Sequence, residues 1–271
     1  MEKLKEMTLR ESQLASLNIL KKVIEVCEKV DVQYWAVFGT LLGAIRHNGF
    51  IPWDDDLDIA MKSDDYDKFI AYFEANKEEL YPLVIHNKNI VDNCFYNITR
   101  ICDERYILKF DEYNYQSGAF IDLYPFEGMG NEDMLSFWQK RFKKMLRYKK
   151  NINMSCSKSI FYGNSTLHKI LNLPGCVYSK VRGSQCFWKK LDSYPKFKWK
   201  SSSFVGVPRW ENYIYRNYYH EFIEKEFEDI MITVPKAYNE ILEESYGDYM
   251  KYPPEDERSP HHGYKAYKKE N

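Results

Sequence analysis

The chain has 271 residues, and its 44% hydrophobic content is enough to fill the core of a globular protein. Its 39 basic and 40 acidic side chains nearly cancel, which excludes an acidic disordered chain and a wholly basic nucleic-acid-binding protein. The charges are unevenly spread, with 14 basic and 23 acidic residues in 1–130, 16 and 3 in 131–200, and 9 and 14 in 201–271. The basic middle predicts contact with an anionic partner.

The cysteines and the N-terminus favour a cytoplasmic protein. The six cysteines include no C-x-x-C pair, and the first residues, MEKLKEMTLRESQ, contain no apolar leader. We therefore expect reduced thiols. The longest apolar stretch, residues 34–45, has 12 residues, whereas a membrane-spanning helix needs about 20, so none is expected.

Capping residues and apolar periodicity predict the helices. Thr8 and Glu11 have the spacing of a capping box, so a first helix begins there and ends near Asp31. Ser63 has the character of a cap for another helix. From residue 131 onward the pattern is helical and basic, with a break at Pro174. Two further helices are predicted, one over residues 41–46 and one that begins at Pro235 and ends just before Gly247.

Alternating, β-branched and aromatic runs predict a sheet among these helices. The predicted strands cover residues 34–38, 56–61, 83–85, 97–109, 118–124 and 227–234. The first of them stops at the glycine turn Gly39-Thr40, which opens a helix. Residues 195–210 have weak periodicity and receive no assignment. The expected fold class is mixed α/β.

Three aspartates are candidate metal ligands. Asp56 and Asp58 alternate with apolar residues, so on a strand both carboxylates project from one face. They repel each other unless a cation lies between them, and hard oxygen ligands suit Mg²⁺. Asp122 lies in a second apolar strand pattern, where an unpaired carboxylate is costly. The backbone N–H groups at Gly39 and Thr40 would offer a place for phosphates.

The alternative interpretation of the two aspartates is a solvent-exposed acidic face of a strand. For a D-x-D sequence taken alone, that interpretation is commoner than a metal site. Several features occur here in order: a glycine turn, a helix, a carboxylate pair and a third acid at a strand end. That combination favours a site for phosphoryl transfer.

Residues 39–47 (GTLLGAIRH) and 51–59 (IPWDDDLDI) closely resemble the signature of the LicD family, the phosphorylcholine transferases of bacterial surface glycans. Residues 120–125 (FIDLYP) are similar to that family's second acidic strand. Residues 246–250 (YGDYM), together with Pro253-Pro254 and the pair His261-His262, are similar to its C-terminal block.

The resemblance implies a nucleotidyltransferase-like mixed sheet flanked by helices, with a basic helical addition. It divides the chain into a catalytic core (1–130), a basic and mainly helical addition for acceptor or membrane (131–226), and a C-terminal part returning to the active site (227–271). By position, Asp56, Asp58 and Asp122 are the catalytic and metal-binding residues. The cofactor is then Mg²⁺, with Mn²⁺ as an alternative.

The family typically moves a phospho-substituent from a CDP-activated donor to a sugar hydroxyl and releases CMP. The resemblance thus implies CDP-choline as donor and a lipid-linked or polymeric glycan as acceptor, such as a teichoic acid, capsule or lipopolysaccharide precursor. CDP-glycerol and CDP-ribitol remain alternative donors. A catalytically silent glycan- or membrane-binding protein is a further alternative. The three acids make it less favoured, because a binding protein has little reason to keep three costly carboxylates together.

Other candidate substrate-binding residues surround these motifs. Arg46 and Arg258 are candidates for phosphate contacts, with surface ion pairing or solvation as the alternative. His261 and His262 are candidates for phosphate or hydroxyl contacts. A ring cage for a quaternary ammonium would draw on aromatic residues near the motifs, any one of which could instead be ordinary packing. These aromatic residues are Trp53, Tyr124, Trp210 and Tyr213.

The basic segment 131–200 interleaves lysines and arginines with aromatic residues. This pattern would fit peripheral contact with anionic lipid at the inner face of a membrane. A nucleic-acid partner is not expected, because no DNA- or RNA-binding motif accompanies the charge.

Overall fold

The computed structural model describes residues 3–110, 112–113, 115–208, 214–259 and 264–270. Its helices are α1 (Leu9–Val30), α2 (Phe38–Arg46), α3 (Ser63–Ala75), α4 (Lys77–Leu80), α5 (Leu135–Cys156), α6 (Thr166–Arg182), α7 (Ser184–Leu191) and α8 (Tyr238–Tyr246). Its strands are β1 (Lys3–Glu6), β2 (Tyr34–Ala36), β3 (Asp58–Lys62), β4 (Leu83–His86), β5 (Thr99–Phe110), β6 (Gln116–Gly130), β7 (Phe204–Gly206), β8 (Ile214–Arg216), β9 (Phe222–Phe227), β10 (Ile230–Pro235) and β11 (Tyr264–Glu270).

A mixed sheet forms the centre of the protein. Within the described residues it has nine strands, with β1, β11, β5, β6, β3 and β2 in that spatial order. Strand β4 pairs with β5, and β7 joins β6 to β8, while β9 and β10 form a separate hairpin. Strand β6 runs antiparallel to β5 and parallel to β3. The mixed α/β fold predicted from the sequence is confirmed.

The register of three neighbouring strands brings charged residues into one row. Asp58 of β3 lies opposite Asp122 of β6. On the other side of β6, Asp122 lies opposite Arg100 of β5. Directly opposed residues in adjacent strands point to the same face of a sheet, so these three side chains meet.

Helix α1 covers this sheet, and its capping box is present as predicted. The side chain of Thr8 accepts from the N–H of Glu11, whose carboxylate accepts from the N–H of Thr8 at 2.8 Å. The helix ends at Val30, one residue before the predicted Asp31, which adopts a left-handed conformation with φ 51°. Its inward face, including the fully buried Leu20 and Val23, packs in the main hydrophobic core.

Around the motifs, the element boundaries differ from the sequence-based expectation. Helix α2 begins at Phe38, so Gly39 and Thr40 lie in its first turn instead of before it. Strand β3 begins at Asp58, because its pairing with β6 starts there. Asp56 therefore lies in a preceding loop and not on the strand with Asp58. Ser63 is the first residue of α3 and Lys62 is the N-cap.

The later part of the chain shows three more differences. Residues 227–234 belong to a hairpin and not to one strand, because Glu228 turns the chain with φ 57° between β9 and β10. Pro235 ends β10, and the last helix begins at Tyr238, although Gly247 follows its end as predicted. Pro174 lies inside α6 without breaking it. Ile170, whose carbonyl loses its helical donor, is an exposed residue, and solvent-exposed helix faces tolerate a missing hydrogen bond better than buried ones.

The basic segment is helical, as expected, and has its own core. Helices α5 and α7 bury Trp138, Phe187 and Trp188 against one another. The segment that received no assignment from sequence includes β7, which extends the main sheet beside β6. Among the described helices, none has the length and apolar composition needed to cross a bilayer.

Candidate active site

Three carboxylates converge where β3 and β6 lie side by side. Oxygen atoms of Asp56, Asp58 and Asp122 all lie within 4.8 Å of one another. Asp58 and Asp122 are buried, with 6% and 3% of their surfaces exposed, while Asp56 is half-buried. Asp56 reaches them from residues 54–57, which we call the acidic loop. The three predicted ligands are thus brought together, although Asp56 arrives by a loop and not by strand alternation.

Burial and mutual repulsion resist ionisation of the cluster. Burial raises the pKa of Asp58 well above its usual range, and the charges of Asp56 and Asp122 raise it further. A hydrogen bond from Tyr124 acts in the opposite direction. The Oδ1 atom of Asp58 is buried and accepts no hydrogen bond from the residues that the structure describes. Clustered carboxylates with a buried oxygen open to a ligand fit a hard divalent cation, and Asp56, Asp58 and Asp122 would hold it.

Asp54 is a further acid of the site that sequence reasoning left without a role. It lies within 4.8 Å of Asp55 and Asp56, measured between carboxylate oxygens. Burial, followed by the charge of Asp56, raises its pKa to about 8. A Cβ atom added at Gly39 would lie 2.5 Å from Oδ2 of Asp54, so the absence of a side chain at Gly39 makes room for this carboxylate. The three consecutive aspartates of the DDD sequence were the feature that could have indicated a role for Asp54.

Arg100 is the second residue that sequence reasoning missed. Its Nε donates to Oδ1 of Asp122 at 2.8 Å, and its Nη2 donates to Oδ2 at 3.4 Å. The guanidinium lies between two rings, 3.4 Å from the centroid of Tyr96 and 3.7 Å from that of Phe120. Burial is the largest single influence and lowers the pKa of Arg100, but the charge of Asp122, the nearby tyrosines and the hydrogen bond to Asp122 together outweigh it, so the net shift is upward. The sequence feature that could have indicated Arg100 is a charged residue within an apolar strand pattern.

Negative charge exceeds positive charge in the site even when Arg100 is counted. Together, Asp54, Asp56, Asp58 and Asp122 can carry four negative charges, against one positive charge on Arg100. Arg100 holds Asp122 in a fixed orientation, because the planar guanidinium contacts both carboxylate oxygens. The remaining excess of negative charge in a buried place is what a bound cation would neutralise.

Hydrogen bonds from distant elements fix the acidic loop and the start of β3. The N–H of Asp58 donates to Oγ1 of Thr40 at 2.7 Å, so Thr40 positions a ligand from the first turn of α2. Gln13 of α1 donates to the carbonyl of Asp54 at 2.8 Å. The hydroxyl of Tyr264, on β11, donates to the carbonyl of Asp55 at 2.9 Å.

A cavity of about 540 Å³ opens beside the carboxylates. One side is formed by α2, including Gly39 and Arg46, and by Trp53 before the acidic loop. Asp54, Asp56 and Asp58 line it as well. A further part of the lining comes from residues 246–257, which we call the C-terminal wall. Residues from the C-terminal part of the chain therefore line the cavity together with α2 and the acidic loop.

Two rings that line this cavity, Trp53 and Tyr252, are in contact with arginines. Arg46 donates from Nη1 to the carbonyl of Tyr249 at 2.8 Å and lies 5.0 Å from the ring centroid of Tyr252. Arg258 lies 5.5 Å from the ring of Trp53 and 5.4 Å from that of Tyr252. The structure thus joins three predicted residues, Arg46, Trp53 and Arg258, through Tyr252, which sequence reasoning had not singled out.

The remaining candidates fall in different places. Tyr124 is buried, packs edge-on against Phe38 with ring centroids 5.0 Å apart, and meets the site through its hydrogen bond to Asp58. Four others lie outside the described residues: Trp210, Tyr213, His261 and His262.

This fold and site define a class. A mixed sheet carries two acids on adjacent parallel strands, a glycine-containing helix turn precedes them, and a cavity adjoins them; this is the arrangement of a nucleotidyltransferase-type domain. The chain belongs to the LicD/FKTN/FKRP family, whose nucleotidyltransferase domain matches residues 31–167. The family predicted from the sequence motifs is confirmed.

Relatives of this chain fall into two groups by coverage. It is 34% identical to the lipopolysaccharide cholinephosphotransferase LicD of Haemophilus influenzae, over 97% of this chain and 99% of that protein. It is 46% identical to the human ribitol 5-phosphate transferase FKRP over 43 residues, which are 16% of this chain and 9% of that protein. An uncharacterised protein of Rickettsia typhi is 38% identical over 92 residues, 34% of this chain and 26% of that protein.

Proposed function

We propose that this protein transfers phosphocholine from CDP-choline to a hydroxyl group of a bacterial surface glycan and releases CMP. The observation that carries the proposal is the convergence of Asp56, Asp58 and Asp122 beside a cavity of substrate size. Similarity along the whole chain to a lipopolysaccharide cholinephosphotransferase supports phosphocholine as the group transferred. It also supports a lipopolysaccharide precursor as acceptor, ahead of teichoic acid or capsule.

The three carboxylates would hold Mg²⁺, with Mn²⁺ as an alternative, and the bound cation would neutralise charge on the donor diphosphate. The protein's own groups would orient the donor. Arg46 and Arg258 provide positive charge beside the rings of Trp53 and Tyr252. A phosphate fits such a place by charge, and a pyrimidine base fits it by stacking. Phosphoryl transfer depends mainly on this positioning and on charge neutralisation.

The choline headgroup requires a different environment from a polyol. A quaternary ammonium donates no hydrogen bond, so it is recognised by ring faces and nearby carboxylates, at about 0.5–2 kcal/mol for each ring. Asp248 and Glu257 of the C-terminal wall line the cavity together with Tyr249 and Tyr252. These acids and rings favour choline over glycerol or ribitol, whose hydroxyls would need several polar partners on burial.

The second candidate function is transfer from CDP-ribitol or CDP-glycerol. The short match to a ribitol 5-phosphate transferase favours it, but that match covers 16% of this chain. A catalytically silent binding protein is less well supported, because it has no use for three carboxylates held this close together. We place the reaction in the cytoplasm, where CDP-linked donors are made.

The deciding experiment incubates the purified protein with an acceptor glycan and either CDP-choline, CDP-glycerol or CDP-ribitol, and measures CMP release. We expect CDP-choline to be used well ahead of the others, and chelation by EDTA to stop release. Asp58→Asn should be inactive, whereas the matched control Asp67→Asn, an exposed acid on α3, should retain full activity. Faster release from CDP-ribitol or CDP-glycerol would overturn the choline assignment. Equal activity of Asp58→Asn would overturn the metal site.

A further inference from the structure

Helix α6 exposes its apolar residues and buries small ones. Cys176 and Ser179 are buried on the side that packs against α5 and α7. The opposite side is apolar and open to solvent; we call it the α6 stripe. Its members are Leu167, Ile170, Leu171, Pro174, Val177, Tyr178 and Val181.

The spacing of these residues places them on one face. Successive members lie one or three positions apart, so at 100° per residue they occupy an arc of about 120° that contains no charged side chain. Exposure is high along the arc, reaching 65% for Leu167, 66% for Leu171 and 81% for Val181. A helix on the surface of a globular protein normally turns such a face toward the core. A contiguous exposed apolar patch marks a place of contact.

The charge around the stripe indicates what it contacts. Residues 134–191, which include α5, α6 and α7, contain 13 basic and no acidic residues. On α6 itself, Lys169 and Arg182 are exposed, and Arg182 lies beside the stripe. A second copy of this chain would bring two such positive surfaces together and repel. An anionic surface with an apolar interior satisfies both the charge and the stripe.

We propose that the α6 stripe inserts into the interfacial layer of a membrane that contains anionic phospholipid, with exposed basic side chains of the same segment at the headgroups. The basic composition of residues 131–200 indicated only that this segment contacts something anionic. The stripe identifies α6 as the helix that makes the contact. The inference depends on the surface of α6 and not on the transfer chemistry.

The first test measures binding of the full-length protein to vesicles by co-sedimentation. We expect binding to vesicles of phosphatidylcholine with about one third phosphatidylglycerol, weak binding to phosphatidylcholine alone, and weakening by salt. Leu167→Ser/Leu171→Ser should weaken binding at least about tenfold, because two large apolar side chains leave the bilayer. Lys169→Gln/Arg182→Gln should weaken binding to the anionic vesicles. The matched control Leu14→Ser, which changes an exposed leucine of α1, should bind as the parent does.

The second test asks whether the stripe enters the acyl layer. A tryptophan placed by Val181→Trp should be quenched by lipids brominated on the acyl chain, and one placed by Leu14→Trp should not. Absence of binding by the parent, or equal binding by the Leu167→Ser/Leu171→Ser protein, would overturn the proposal. A parent dimer that the same variant dissociates, without vesicle binding, would make the stripe an interface between copies and would also overturn it. Neither readout uses the transfer reaction.

Discussion

Replacing Arg100 by Met removes the guanidinium that pairs with Asp122 inside the sheet. Arg100 is 1% exposed and Asp122 is 3% exposed, so water cannot compensate the carboxylate left behind. Removing one partner of a buried ion pair destabilises a protein by about 3–5 kcal/mol. Met keeps much of the apolar contact with Tyr96 and Phe120, so the lost charge is the main change. We expect the free energy of unfolding to fall by about 3–5 kcal/mol, a large part of the roughly 5–15 kcal/mol typical of a domain.

Urea unfolding followed by circular dichroism measures this loss. The matched control is Arg147→Met, the same chemical change on an exposed part of α5, where we expect an effect within about 0.5 kcal/mol. The double variant Arg100→Met/Asp122→Asn removes both charges and should be more stable than Arg100→Met alone. A loss below about 1 kcal/mol in Arg100→Met, or a double variant less stable than the single one, would contradict the electrostatic dependence of Asp122 on Arg100.

Three further predictions concern the acids and the basic helix. Asp58→Asn or Asp56→Asn should abolish CMP release, while the melting temperature in EDTA stays equal or rises, because carboxylate repulsion is relieved; near-normal turnover in either variant would remove the ligand assignment. The pKa of Asp54 is raised to about 8, so the protonated form is favoured in the fold. The metal-free protein should therefore lose stability as pH rises from about 4 through about 8. Asp54→Asn should flatten that part of the profile in melting scans at pH 5, 7 and 9, and an unchanged slope would contradict the assignment. Replacing Lys140, Lys143 and Lys144 by Gln should weaken binding to anionic vesicles by about fivefold per lysine in contact with the surface, and a salt-independent parent would contradict this.

The sequence by itself determined the elements whose signals are local. The capping box of Thr8 and Glu11 predicts α1 because both hydrogen bonds form within one turn, whatever the rest of the chain does. The motif around Asp56 and Asp58, together with the strand of Asp122, was sufficient to identify the family. A capping box and an acidic sequence motif can both be recognised in the sequence, because each depends on residues within a short stretch of the chain.

The limits of several elements were decided by strand pairing and by exposure to solvent, which the local pattern does not show. The pattern around Asp56 alternates as a strand would, but a strand exists only where it pairs, and β3 pairs with β6 from Asp58 onward. Pro174 predicts a break, but the exposed face of α6 tolerates the missing hydrogen bond. Glu228 reads as part of a strand, but it turns the chain so that β9 and β10 pair with each other.

Only the tertiary structure completed the site. Arg100 reaches Asp122 because the register of β5 on β6 places them opposite, and no sequence spacing fixes a register between strands. Arg46 reaches the carbonyl of Tyr249 across 203 positions of the chain. The apolar face of α6 is periodic in the sequence like any helix, and its exposure follows from where α5 and α7 leave it uncovered. Residue types and local order are properties of the sequence, whereas which charges are buried together and which apolar faces meet solvent are decided when the elements pack.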